Sequence, residues 1–252
     1  MSEDNFRASA QKTLMSRDRS LGAKYSTLIL GRRSLFAIIK FELITLAVSW
    51  VPGALGFVLR RIFFPCLLGR VGRNVVFGRG ITLRHPHKIR IGDNTIIDDY
   101  SVLDAKGEAN EGIVIGAKVF IGRHTILSCK EGSISIGDYC NISANCTILS
   151  ETEVRLGNYC FLAGNCYLVA GGNHSFDKLD VPIMFQPSIS KGGIRVGDDV
   201  WLGAGVIVLD GVTVGRGSVV GAGSVIPASL PEYSFARAAR ALKVEDRRRP
   251  ES

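Results

Sequence analysis

Between about residue 71 and residue 226, apolar side chains return every six residues. An aliphatic or aromatic residue, very often followed by Gly, is matched four places on by a small or β-branched one. The pattern is seen in Val71-Gly72, Phe77-Gly78, Ile91-Gly92, Ile115-Gly116, Ile121-Gly122, Ile136-Gly137 and Leu156-Gly157. It resumes in Val196-Gly197, Leu202-Gly203, Val214-Gly215 and Val220-Gly221. A period of six fits neither a 3.6-residue helix nor an alternating hairpin. It predicts short strands, each placing one aliphatic and one small side chain inward, with Gly at the second position easing a turn. Three such strands close a triangular coil of 18 residues, and stacked coils make a parallel β-helix.

The expected coil starts are Val71, Ile91, Ile115, Ile136, Leu156, Val196 and Val214, at spacings of 20, 24, 21, 20, 40 and 18. Short corner insertions explain all but one. The interval from Leu156 to Val196 carries 22 residues beyond one coil. Stacked coils touch only their neighbours, so the core is a narrow column whose ends need covering.

Composition fits an ordered globular chain: 252 residues, 46% hydrophobic, 29 Gly. Four cysteines, Cys140, Cys146, Cys160 and Cys166, fall at the inward small position, where a free thiol behaves as a small hydrophobe. No CxxC pair is present, so no metal site is expected. No short apolar core near the start reads as a cleavable secretory signal, so disulfides are not expected.

The first seventy residues read differently. Residues 1–24 are polar. Leu43 to Leu59 is a run of seventeen residues without a charge, interrupted by Pro52-Gly53. Arg32, Arg33 and Lys40 precede it, and Arg60, Arg61 and Arg70 follow. Basic residues on both sides suit a helix-break-helix that enters and leaves one membrane face better than a span. The competing expectation is a helical pair over residues 25–68 that caps the column or packs between subunits. The net charge of +8 favours an anionic surface. No nucleic-acid recognition motif accompanies it.

The stretch from Ile194 to Val225 contains Trp201-Leu-Gly-Ala-Gly205 and, 18 residues on, Val220-Gly-Ala-Gly-Ser224. It resembles the hexapeptide-repeat acyltransferases, and within them the branch of maltose, galactoside and other sugar O-acetyltransferases. The resemblance covers residues 71 to about 243. It implies a left-handed β-helix, a homotrimer with active sites between subunits, and acyl-coenzyme A (acetyl-CoA above all) as co-substrate. It also implies a catalytic His at the start of the long excursion, which here is His174. Imidazole suits the removal of a hydroxyl proton near neutral pH. Asn173 and Asp177 are its neighbours in sequence only. For the CoA arm the resemblance points to Trp201, Ala204 and Ala222, with Arg240 and Lys243 in the tail for its phosphates. Ser143 and Asn145 align with positions that face the acceptor, although many relatives carry Asn where this chain has Ser143.

The remaining histidines carry less. His124 occupies an outward position, and His85 and His87 flank Pro86 at what reads as a surface turn. The close His pair of a γ-class carbonic anhydrase zinc site is missing. No GxSxG nucleophile motif is present, which favours direct transfer in a ternary complex.

The sequence thus predicts an all-β, left-handed parallel β-helix of about seven coils over residues 71–230, with a catalytic loop at 169–193. Residues 1–70 form a polar tail and apolar helices, and residues 231–252 a tail with a short helix. The expected activity is transfer of an acyl group to a sugar hydroxyl in cell-surface polysaccharide or glycolipid assembly, on a free or lipid-linked saccharide acceptor. The alternatives are serine or amino-sugar N-acetyl transfer and a non-catalytic scaffold. The expected location is cytoplasmic, free or peripheral on the cytoplasmic face of the membrane.

Overall fold

The computed structural model describes residues 20–238. Three parallel sheets run the length of the column, and each coil gives one strand to each. The first sheet has seven strands, which end at Val71, Ile91, Ile115, Ile136, Leu156, Val196 and Val214. These are the seven expected coil starts. The second sheet has eight strands, ending at Phe77, Ile97, Ile121, Ile142, Leu162, Leu202, Val220 and Ala236. The third has seven, whose inward residues are Leu83, Leu103, Leu127, Ile148, Leu168, Val208 and Ile226. Seven coils are complete and Phe235–Ala236 begins an eighth. The architecture is the β-helix read from the hexads, and its three parallel sheets are consistent with the left-handed form.

Inward residues interdigitate along the axis, and nearly all are fully buried. Cys140, Cys146, Cys160 and Cys166 are among them, as expected. They do more than fill space. Each thiol donates to a carbonyl of the next coil: Cys140 to Gly157 at 3.1 Å, Cys146 to Ala163 at 3.2 Å, Cys160 to Gly197 at 3.1 Å and Cys166 to Gly203 at 3.3 Å. In lower coils the same position holds a hydroxyl with the same job, as in Thr95 to Gly116 and Thr125 to Ser143. The thiol is thus a less polar substitute for a core hydroxyl. Burial pushes the Cys129 thiol up to about 12, far from the reactive thiolate.

The turn chemistry differs from expectation. Left-handed backbone falls on the fourth residue of the hexad, not on the Gly at the second. Asn94 has φ 56°, Tyr139 58°, Asn145 60° and Gly205 69°. The second-position Gly is required by proximity. A Cβ on Gly92 would sit 2.6 Å from the backbone N of Ala117 in the next coil. At these glycines the next coil lies too close for a Cβ without a shift of the backbone.

The N-terminal segment closes the lower end of the column. Helix α1 (Leu21–Tyr25), capped by the Ser20 hydroxyl, runs into a single π-turn over Ser26–Leu30. Helix α2 (Leu35–Val48) is capped by Ser34, and α3 (Gly53–Phe63) starts after Pro52. Phe41, Val48 and Phe64 join the column core, with the Phe64 ring edge-on to Phe77 at 5.4 Å. One face of the helices thus packs on the first coil. Two sequence expectations fail here. Arg60 is not a flanking surface charge: it is 1% exposed and donates to the carbonyls of Phe77, Val48 and Val51. His85 is not on a surface turn. It is 7% exposed, and its Nε2 meets the Thr27 carbonyl at 2.9 Å. Both residues pin the cap to the first coil. The expected C-terminal helix, with Arg240 and Lys243, lies outside the described residues.

Candidate active site

The long excursion begins where one sheet loses its upper partner. Tyr167–Ala170 pairs along four residues with Thr147–Ser150 below it, but only Tyr167 and Leu168 pair with Ile207 and Val208 above. The chain leaves through Gly171 and Gly172 (φ 115° and 75°) and returns through Gly192 and Gly193 (φ 103° and 90°). The insertion leaves the stack undisturbed: Leu156 still pairs with Val196 across it.

The base of the loop is a short antiparallel stalk. Ser175 N donates to Pro187 O at 2.9 Å, Ile189 N to Asn173 O at 2.6 Å, and His174 bridges Ser188. Two residues that sequence reasoning missed hold it. Asp210, 5% exposed, accepts from the backbone N of Lys191 (2.7 Å) and Gly193 (2.9 Å) and from the Asn173 side chain (3.2 Å). One carboxylate therefore ties both ends of the loop. Gln186, 2% exposed, donates to the carbonyls of Lys178 (2.7 Å) and Val181 (2.9 Å) and accepts from Lys178 N (3.2 Å). It fills the loop interior as an amide plug. Asp210 acts across separations of 17 to 37 residues, which no local pattern betrays, whereas Gln186 works within the loop, to partners 5 and 8 residues away.

His174 is exposed on the stalk, with Nδ1 3.4 Å from the Gln186 carbonyl oxygen. A carbonyl only accepts, so this contact selects the tautomer with hydrogen on Nδ1. In that tautomer the lone pair is on Nε2. The sequence neighbours are engaged elsewhere: Asn173 with Asp210, and Asp177 with the Ser175 hydroxyl at 2.9 Å. The orienting group is thus a backbone carbonyl.

The other expected residues gather at a different edge. Ser143 and Asn145 turn the corner between the second and third sheets, and Ala204 and Ala222 stack at the same corner higher up. All four sit where the turn needs left-handed backbone or small side chains. Asn145 has φ 60°, and the Ala204 carbonyl accepts Gly223 N at 2.8 Å. Trp201 lies beside them on the second sheet, stacked on Phe161 with ring centres 6.4 Å apart. The loop bearing His174 leaves from the far end of the third sheet. A four-residue strand separates the two edges, about 13 Å at 3.3 Å per residue. A single chain does not bring them together. Meanwhile the loop projects outward, with Phe176, Ile183 and Met184 exposed and Leu179 fully so (100%). Among the described residues, no group of three His, Cys, Asp or Glu is placed to hold a metal ion.

Comparison with known proteins bears on the repeat first. The family described as bacterial transferase hexapeptide (six repeats) matches residues 193–228, and the hexapeptide repeat of succinyl-transferase matches residues 112–150 and 133–170. The repeat of this chain thus carries the signature of the hexapeptide transferases over residues 112–170 and 193–228. Among curated relatives, the probable acetyltransferase Rv3034c of Mycobacterium tuberculosis is 34% identical over 133 residues. That match spans 53% of this hexapeptide-repeat chain and 44% of the relative, so the chain covers under half of the relative's length. Among solved structures, the polysialic acid O-acetyltransferase OatWY is 19% identical, covers 72% of this chain and 92% of its own, and superposes with a TM-score of 0.51. That likeness shows a shared fold. The N-acyltransferase AntD of Bacillus cereus, solved with dTDP and 3-hydroxybutyryl-CoA, is 24% identical over 80% of this chain and 92% of its own, at a TM-score of 0.49.

Proposed function

We propose that this hexapeptide-repeat chain transfers an acyl group, most simply acetyl, from coenzyme A to a hydroxyl of a saccharide. The observation that carries the proposal is His174, set on a clamped loop with its Nδ1 side engaged by a carbonyl and its Nε2 side open. That is the tautomer and orientation a general base requires. The relative named a probable acetyltransferase supports acetyl as the group moved.

In the proposed reaction His174 Nε2 takes the acceptor's hydroxyl proton as the oxygen attacks the thioester carbonyl carbon. The carbon–sulfur bond breaks, and the coenzyme A thiolate takes the proton back from the imidazolium. Backbone N–H groups at the corner turns are suited to the oxyanion. The small side chains of Ala204 and Ala222 leave room for an extended pantetheine arm against backbone, with Trp201 alongside; Ser143 and Asn145 would face the acceptor. Arg240 and Lys243 remain proposed phosphate contacts.

The two edges about 13 Å apart argue that the site is completed by a second copy. In a homotrimer, the loop of one chain would lie against the corner of the next, which also covers Leu179 and its apolar neighbours. Amino-sugar N-acyl transfer is the second reading, since the same base would serve an ammonium acceptor.

The test is release of free thiol from acetyl-CoA and longer acyl-CoA donors across a panel of saccharide hydroxyl and amine acceptors. His174→Ala is expected to lower turnover by about a thousandfold, within the range for loss of a general base. Its melting temperature should not move, because the side chain is exposed. Turnover that survives the substitution would overturn His174 as the base, and no thiol release from the wild type with any acceptor would leave the chain as a scaffold.

A further inference from the structure

We infer that the outer face of α2 and α3 docks on an anionic lipid bilayer. The inference is independent of the acyl-transfer reading. Along α2 the residues turned away from the core are Phe36, Ile39, Leu43, Leu46 and, just beyond it, Trp50. Their spacing of three and four puts them on one helix face. Along α3 the exposed set is Leu55, Val58 and Ile62, with the same spacing. Leu43 is 62% exposed and Leu46 79%, in a helix whose opposite side supplies Phe41 and Val48 to the column core. Both helices are therefore already used for capping on one face and present a second apolar face that nothing among the described residues covers. A patch of this kind marks an interaction surface.

Charge and length choose the occupant. Arg32 and Arg33 sit immediately before α2, exposed, and no carboxylate among the described residues pairs with them. Arg61, also exposed, lies in the last turn of α3. Beside Arg32 and Arg33 is a cavity of about 320 Å³, lined also by Thr27, Gly31, His85, Lys88 and one carboxylate, Glu108, so that three cations face one anion. Its wall includes His85, whose Nδ1 is buried without a hydrogen-bond partner. A basic recess at the margin of an apolar face is suited to a lipid phosphate. A second copy of this chain docking face to face would instead set these arginines near their own like. The helices are 14 and 11 residues long, about 21 Å and 17 Å, against an apolar bilayer core of about 30 Å. No helix among the described residues is long and apolar enough to cross a membrane. The geometry is that of a helix pair lying in the interface.

The test is co-sedimentation of the full chain with vesicles of phosphatidylcholine alone or with about one third phosphatidylglycerol, alongside light scattering for oligomer mass. Wild type should pellet with the anionic vesicles. Leu43→Glu/Leu46→Glu should abolish pelleting, and Arg32→Glu/Arg33→Glu should weaken it by at least about thirtyfold, at about tenfold or less per arginine lost and more for reversal. Inorganic phosphate at millimolar concentration should not displace the chain; displacement would mean that the recess binds the free anion and would overturn the bilayer assignment. So would equal binding to both vesicle types. If Leu43→Glu/Leu46→Glu lowers the oligomer mass and leaves pelleting intact, the face is a protein interface and the inference fails.

Discussion

Replacing Asp210 by Asn tests the claim that one buried carboxylate sets the order of the loop bearing His174. The exchange keeps the shape and removes the charge. Asp210 Oδ2 accepts from Lys191 N and the Asn173 amide, and Oδ1 from Gly193 N. An Asn can keep its oxygen on the first side only by turning its NH₂ against the Gly193 N–H. The two retained bonds lose their charge assistance, about 1 kcal/mol each, and the buried Gly193 donor is orphaned at about 1–3 kcal/mol. Releasing a buried charge offsets part of this, which leaves a net cost of about 2–4 kcal/mol. Because these bonds hold the loop and not the column, the cost should appear as local opening. Hydrogen exchange of the amides at 190–193 should accelerate by a factor of about 30 to 1000, at tenfold per 1.4 kcal/mol. Amides of the strand Thr147–Ser150 should keep their protection. Thioester turnover should fall at least about tenfold as the stalk bearing His174 loosens. Unchanged exchange at 190–193 would refute the clamp.

Other outcomes follow from the same geometry. Gly203→Ala should cost about 3 kcal/mol in urea denaturation, because its Cβ would lie 2.6 Å from the Ala222 backbone N. Gly205→Ala meets nothing within 4 Å and should cost only the left-handed strain of about 1 kcal/mol. Equal costs for the two would undo the assignment of turn and contact roles within the hexad. Arg60→Leu strands the carbonyls of Val48, Val51 and Phe77 and should cost about 3 kcal/mol, with exchange rising first in residues 35–64; an unmoved melting temperature would show that the pin is dispensable. Burial, then Arg32, pushes His87 down from 6.5 to about 4. The folded cap therefore favours the neutral ring, and its contribution to stability is complete above pH 6.5 and is lost as pH falls toward about 4. Protection factors in residues 20–34 should drop through that window, and His87→Gln should flatten part of the drop; a pH-independent profile would contradict it.

The column was legible because its information is local. Each coil start read from the hexads is the last residue of a first-sheet strand, from Val71 to Val214. The inward cysteines followed from the same count. What was not legible depends on contacts made far along the chain. Asp210 reaches Asn173 across 37 residues, and His85 reaches Thr27 across 58. Gln186 looked like any loop polar residue until its amide was seen folded inward. Arg60 looked like a flanking charge because its partners are backbone carbonyls, which have no sequence signature. The apolar N-terminus defeated a one-role reading, since α2 is apolar on both sides and uses only one against the column. His174 was singled out as a candidate because it sits at the one large break in the period.

The stack also behaves as a ruler. In the third sheet, the strand that launches the loop stands four steps above Thr82–Arg84, the strand nearest the capping helices. At about 4.8 Å per step, His174 is carried about 19 Å along the axis from the cap. That height is quantised: inserting or deleting one coil would move the base by a single step while leaving its loop, its clamp and its corner untouched. Distance from whatever the cap rests upon could thus change in evolution, or by design, without any change in the chemistry.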